Sequence, residues 1–272
     1  MAGFSSYDQI INALTTGKGQ LLFINKASVT SVIGFLYRLW NAAGNPAAGV
    51  DPTPALQGYA PTKATVGAIP FNNPISPATL HMLSFGAGGP TLGSLILYDR
   101  LWHVGGINLT LTTTQTFTGV TAPTRHTDGV GNKLALEITT ATTGTSAVTI
   151  TVTYTNTLDQ TGRTATFTTP AATQPVNRVH LFNLQAEDVG VKSVQSIILS
   201  GSMTSGVANL IMFNDAEIVI VPWFAGMFTE RDLVLQMANL PRVLDDACLA
   251  LMVQPSTTST GIIYGRLQLA EG

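Results

Sequence analysis

Residues 145–155 read T-S-A-V-T-I-T-V-T-Y-T, and this strict alternation constrains the fold more than any other segment. Val148, Ile150, Val152 and Tyr154 fall on one side of an extended chain, and Thr149, Thr151, Thr153 and Thr155 on the other. Successive side chains point to opposite faces of a strand. The segment therefore predicts a half-buried β-strand with one apolar and one hydroxyl-bearing face. Threonine is β-branched, suits a pleated and partly wet surface, and adds no charge. Residues 101–180 hold 25 threonines, in a chain of which only 10% is charged. That combination belongs to a structural β-domain whose surface is largely covered by neighbours, and it is unlike an enzyme's composition.

The 272 residues supply ample material for a core, as one large β-domain or two small ones. A free soluble monomer usually carries about 25% charged residues and a net charge well away from zero. Here the formal net charge is −2, so the polar surface is mostly Thr, Ser, Asn, Gln and backbone. Such a surface is weakly hydrated and predicts self-association. The 13 Lys and Arg form no basic run, which argues against direct binding of nucleic acid. Cys248 is the single cysteine, excluding an internal disulfide and a cysteine-based zinc site. The N-terminus, M-A-G-F-S-S-Y-D, has no basic stretch leading into an apolar one, so no signal peptide is expected and synthesis falls in the cytoplasm. The longest apolar run, Ile218 to Phe228, is broken by Pro222 and Gly226 and is far short of the ~20 residues that span a bilayer, so no membrane partner is expected.

One helix is expected near the start. Ser6 and Gln9 form a capping box, Tyr7, Ile10, Ile11 and Leu14 make an apolar stripe, and Gly17 supplies the stop. The stripe needs a surface to lie on, either the chain's own sheet or a neighbouring subunit. Apolar bursts follow at Leu21–Ile24 and Val32–Trp40. From Gly44 to Pro77 the chain is rich in Pro, Gly, Ala and Asn, and reads either as an extended arm or as an ordered surface loop. Strand signals then crowd together at 95–98, 107–112, 134–138, 148–154, 163–169, 179–184, 191–200, 209–213, 217–221 and 262–269. Residues 230–239 and 245–252 are the remaining candidates for helical turns. The predicted fold is all-β, a β-sandwich or jelly roll with a short N-terminal helix and an extended Pro/Gly-rich segment. The expected division is 1–94, holding helix, apolar segments and arm, and 95–272, holding the β-sandwich core.

No motif assigns a catalytic residue. Gly86-Ala87-Gly88-Gly89-Pro90-Thr91-Leu92-Gly93 fails the phosphate-loop pattern, because Thr91 stands where the third glycine belongs and no Lys-Ser/Thr pair follows. Asp99, Arg100 and His103 group an acid, a base and a histidine, but a single local cluster of this kind reads by default as a satisfied ion pair at a strand end. His81, His103, His126 and His180 have no metal-ligand spacing. Neither Gly93-Ser94 nor Gly201-Ser202 fits a nucleophile elbow, and Asp245 and Asp246 diverge too much for a glycosidase pair. The expectation is a non-enzymatic protein with no cofactor, no metal and no small-molecule substrate.

One segment reads as a contact surface. Pro222-Trp223-Phe224-Ala225-Gly226-Met227-Phe228 sets three aromatics and a methionine in a turn-rich stretch after a strand. Trp223, Phe224, Met227 and Phe228 are the candidate interface residues, since such residues are enriched at buried protein–protein contacts. A core plug between two sheets explains the same composition.

Four further segments carry a resemblance: I-S-P-A-T-L-H-M-L (75–83), L-Y-D-R-L-W-H-V-G-G-I (97–107), L-Q-A-E-D-V-G-V-K-S-V-Q-S-I (184–197) and L-P-R-V-L-D-D-A-C-L (240–249). Together, and in this order, they resemble a group of structural proteins of tailed bacteriophages. The resemblance implies a virion component whose partners are copies of itself and other virion proteins. Its expected place is the head, as a minor capsid, decoration or vertex protein. Neck, tail or fibre is the alternative place, and a carbohydrate-binding β-sandwich the alternative function.

Overall fold

The computed structural model describes residues 4–214, 218–236 and 240–272. The chain is all-β, with three sheets and two short helices among those residues. At its centre six strands close on themselves. They are β6 (Gly93–Asn108), β14 (Val207–Asn214), β9 (Asn132–Thr140), β12 (Arg178–Leu181), β2 (Leu36–Arg38) and β18 (Leu249–Pro255), each hydrogen-bonded to the next. The ring closes because β6 is long enough to serve twice. Its first half pairs with β18, from Gly93↔Pro255 to Asp99↔Leu249, and its second half with β14, from Arg100↔Phe213 to Asn108↔Val207. Short strands β4 (Gln57–Tyr59), β8 (Thr118–Gly119) and β15 (Val219–Trp223) extend the barrel wall.

Alternation assigns every stave two buried faces. On β6, Ile96, Tyr98 and Arg100 point into the barrel, while Leu95 and Leu97 point outward. The pairing of β6 with β14 skips Leu101, so the inward set shifts from even to odd residues and His103 also turns inward. Ala250 and Met252 of β18, Ile211 and Phe213 of β14, and Ala135 and Glu137 of β9 complete the interior. The outward residues form two further cores, because each flank of the barrel is covered by another sheet.

Sheet I runs β16 (Phe228–Asp232), β5 (Leu80–Gly88), β19 (Ile263–Glu271), β1 (Gly19–Lys26) and β3 (Gly44–Asn45), with β17 (Arg242–Val243) also paired to β5. Its inner face buries Met82, Phe85, Ile24, Leu267 and Leu269 against Leu95, Leu97, Val221, Trp223 and Leu251 of the barrel. Sheet II runs β11 (Arg163–Thr168), β10 (Thr149–Asn156), β13 (Val191–Leu199) and β7 (Gln115–Thr116). Here Ile150, Val152, Tyr154, Val194 and Ile197 pack on Leu134, Leu136, Leu210 and Met212. The threonines of β10 face away from the barrel and pair with Thr164, Thr166 and Thr168 of β11, as the alternation of residues 148–155 requires. The sheets pack face to face as in a sandwich, but the middle layer is a closed barrel.

The division expected at residue 94 falls inside β6. Strands on both sides of it are interleaved, since β1 and β5 pair with β19, β2 with β18, and β4 with β6. Residues 44–77 are an ordered loop on the chain's own barrel. Trp40 Nε1 donates to the Val50 carbonyl at 3.1 Å, Ile69 N donates to Leu249 O at 2.9 Å, and Asp51 reaches inward to Arg38 at 2.7 Å. The loop covers the barrel end at Gly105, where any Cβ would meet the Pro52 backbone. Of the two further helical expectations, 245–252 fails and 230–239 holds in part. Residues 249–255 are β18, and residues 230–232 belong to β16; only α2 (Leu233–Gln236) is helical there, residues 237–239 lying outside the described set.

Sheet II is tied to the following loop by Asp188, whose carboxylate accepts hydrogen bonds from Tyr154, from Asn156 Nδ2 at 2.6 Å and from Arg163 Nε at 2.8 Å. Burial opposes ionisation of Asp188, but the bonds from Arg163, Tyr154 and Asn156 outweigh it and pull its pKa down to about 2. The ordinary unfolded value is about 3.9. The carboxylate therefore contributes stability that is complete above about pH 4 and is lost as pH falls through about 2. Asp188→Asn should lower the melting temperature at pH 7 and lower it much less at pH 2, as read by thermal denaturation at both. An equal loss at the two pH values would assign the effect to packing.

Candidate functional site: an uncovered apolar sheet face

Among the described residues nothing covers most of the outer face of sheet I. The register places Phe228, Gly88, Tyr264 and Asn25 in one row across the sheet, Glu230, Gly86, Arg266 and Phe23 in the next, and Asp232, Ser84, Gln268 and Leu21 in the third. Phe23 is 64% exposed, and Leu21, Tyr264 and Phe228 each stand about half in solvent, at 50%, 50% and 49%. A strand normally turns polar residues outward when one face is wet. Strand β1, G-Q-L-L-F-I-N-K, is apolar on both faces, which is the pattern of a strand meant to be covered twice.

Charge on the face is sparse: the Arg266–Glu230 ion pair, with Asp232 at the edge beyond it. Arg266 binds Glu230 across Gly86, and Glu230 also accepts from Ser84 Oγ at 2.5 Å. Glycines at 86 and 88 keep the middle of the face low, and the Phe228 ring lies over Gly86, where a Cβ would meet it at 2.6 Å. The result is a shallow depression of about 490 Å³ between Phe228, Met227, Ile262 and Tyr264, floored by Gly88 and Gly89.

The opposite end of the face is partly roofed by α1 (Tyr7–Thr15). Ser6 Oγ accepts from Gln9 N at 3.4 Å, while Gln9 Oε1 reaches back to Ser5 N at 2.7 Å, one residue earlier than the expected box partner. Gly17, at φ 78°, ends the helix, with Lys18 N returning to Ala13 O at 2.9 Å. The helix lies on its own sheet through Ile10 and Ala13, against Leu83 and Ala270. The other edge of its stripe, Tyr7, Ile11 and Leu14, stays exposed. Leu14 shares a groove with Arg266 and Gln268, the cross-strand partners of Phe23 and Leu21, so the helix extends the apolar face.

The aromatic segment divides. Trp223 is buried in the core between sheet I and the barrel, with its ring 2.8 Å from where a Cβ on Gly93 would stand. Phe224, Met227 and Phe228 are exposed on the rim and surface of the face. Val219, Val221 and Trp223 share one phase of β15 and point inward, and the chain then turns at Gly226. Leu21, Phe23 and Tyr264 were not singled out from the sequence. Their signal is the doubly apolar pattern of β1.

Other candidates form no open site. Asp99, at 2.8 Å from Arg125 Nε, also accepts from Cys248 N at 2.7 Å, and all of it is buried. Arg100 binds Glu137 through both terminal nitrogens, at 2.7 and 2.9 Å, inside the barrel. Burial and the Arg100 charge push the His103 pKa down to about 2, so this histidine is neutral and accepts from Arg100 Nε at its Nδ1. Burial, then Asp99, push the Cys248 thiol up to about 12. Among the described residues no group of three or more His, Cys, Asp or Glu side chains is placed to hold a metal ion. No described helix is long and apolar enough to cross a membrane.

No protein family matches this chain, and no curated protein matches it. Among solved structures, it is similar to the VP2 subviral particle protein of infectious bursal disease virus at 8% identity, with a TM-score of 0.22. That alignment covers 93% of this chain and 81% of the other. The structure of the Gx strain of the same virus gives 9% identity, 93% and 80% coverage and a TM-score of 0.17. These neighbours are viral capsid proteins. TM-scores this low do not establish a shared fold.

Proposed function

We propose that this chain is a non-enzymatic structural subunit of a virus particle, of the head-associated kind found in tailed bacteriophages, and that it assembles through the outer face of sheet I. The observation that carries the reading is that face: Leu21, Phe23, Tyr264, Met227 and Phe228 exposed together around one self-neutralised ion pair. Solvent-facing apolar side chains grouped on one sheet mark an interaction surface. A standard interface removes roughly 800 Å² per partner, at ~25 cal/mol per Å² of apolar area before the costs of association. The sparse charge of the chain and the four phage-like segments support the same reading.

The carbohydrate-binding alternative would be favoured by tryptophans on the surface. The chain's three tryptophans, Trp40, Trp102 and Trp223, are all buried. A neck, tail or fibre position rests on the same face and differs in copy number. Quantitative mass spectrometry of purified particles is the test. A head protein is expected at tens to hundreds of copies per particle, a neck or tail part at three, six or twelve. Absence from the particle would refute the proposal.

A further inference from the structure

The two ends of the barrel differ. One is covered by residues 44–77, and behind that cover the interior is filled by Trp40, His103, the Arg38–Glu137–Arg100 cluster and Asp51. The other end, at the start of β6, opens into a cavity of about 290 Å³. We propose that this open end is a binding site for a small, uncharged, largely apolar molecule.

Its lining comes from inward positions of five barrel strands. Leu36 of β2, Ile96 and Tyr98 of β6, Phe213 of β14 and Met252 of β18 form the interior, with Leu181 of β12 at the mouth. Burial rises steeply from mouth to floor. Leu181 and Ile220 are 50% and 43% exposed, whereas Met252, Phe213 and Tyr98 are 4%, 5% and 1%. A gradient of that kind describes a cup, which takes a compact molecule; a flat patch would hold its residues at similar exposure. The wall is a closed hydrogen-bonded ring, so the cup is formed before any ligand arrives.

Chemistry selects the class. The floor is an edge-to-face pair, Tyr98 and Phe213, with ring centroids 5.9 Å apart. Among the described residues no charged side chain lines the cavity, and its polar members are Tyr98 and Gln254. The Tyr98 hydroxyl is buried at the floor, next to Arg100 of the ion cluster beneath it. An ion entering such a space would lose its hydration without compensation, whereas an apolar molecule gains by leaving water. A dry apolar cavity of about 150 Å³ holds benzene in other proteins. The larger cup here suits a two-ring aromatic or a short acyl chain bearing at most one or two polar atoms.

The test uses the neutral probe N-phenyl-1-naphthylamine with the full chain, read by its fluorescence in apolar surroundings. Saturable binding at one probe per chain is expected. Leu181→Trp and, independently, Ile220→Trp fill the mouth from half-exposed positions, and each should weaken binding tenfold or more with the melting temperature unchanged. Phe23→Ser, on the outer face of sheet I, should leave binding as it was. Non-saturable binding, wild-type affinity in a folded mouth variant, or loss of binding in Phe23→Ser would overturn the proposal. The last result would place the probe on the exposed sheet.

Discussion

Glu137→Gln is expected to destabilise the protein by about 3–5 kcal/mol, the usual result of removing one partner from a buried ion pair. Glu137 is fully buried and is the anion shared by Arg38, at 3.3 Å, and Arg100, at 2.7 Å. Burial alone favours a neutral guanidine at Arg100, but Glu137 beside it outweighs burial and holds the charge in place. Glutamine keeps the shape and removes the charge. Arg38 retains Asp51, but Arg100, stacked 4.7 Å from the Trp40 ring, keeps no directly bonded carboxylate among the described residues. For a chain of this size roughly 2–4 °C is lost per kcal/mol, so the midpoint should fall by about ten degrees. The double variant Arg100→Met with Glu137→Leu should recover most of the loss, because it leaves no cation unpaired. Thermal denaturation of the three proteins checks both statements. A single variant as stable as the wild type would show that water reaches Arg100.

The second large effect separates the two halves of the aromatic segment. Trp223→Ala should cost about 3–5 kcal/mol, the usual range for emptying an aromatic from a core. A domain's whole margin is about 5–15 kcal/mol, so the variant should melt early and precipitate. Phe228→Ser should instead leave far-ultraviolet circular dichroism and melting close to wild type, since the ring is 49% exposed and rests on Gly86. What it should lose is assembly. A folded Phe228→Ser protein that still assembles would remove Phe228 from the contact.

The strands that read clearly in the sequence are those with one wet face. Strand β10 alternates Thr with Ile, Val and Tyr because only one side meets sheet II's core. Strand β18, L-A-L-M-V-Q-P, escaped because Leu249, Leu251 and Val253 face sheet I while Ala250 and Met252 face the barrel interior. Burial on both sides erases the period of two, and a short continuous apolar run then looks like a helix. The same burial hid β5, whose residues are nearly all inaccessible. Barrel closure was illegible for a different reason. It rests on pairings between distant segments, β2 with β18 and β6 with β14, that no local pattern encodes. The ion cluster joins Arg38, Arg100 and Glu137 in the same way: Arg100 stood out beside Asp99 and His103, while its actual partner lies on β9. The exposed face was half visible. Phe224, Met227 and Phe228 came from composition, whereas Leu21, Phe23 and Tyr264 join them only through the register of β1, β19, β5 and β16.

Sedimentation velocity of the purified wild-type chain at micromolar concentration, in low and in high salt, tests assembly through the sheet I face most directly. The account predicts a closed oligomer, trimer or pentamer, that persists at high salt, because screening weakens only charge-driven contacts and this face is mainly apolar, with Arg266 and Glu230 paired to each other. A clean monomer in both salts, or an oligomer that Phe228→Ser leaves intact, would contradict it.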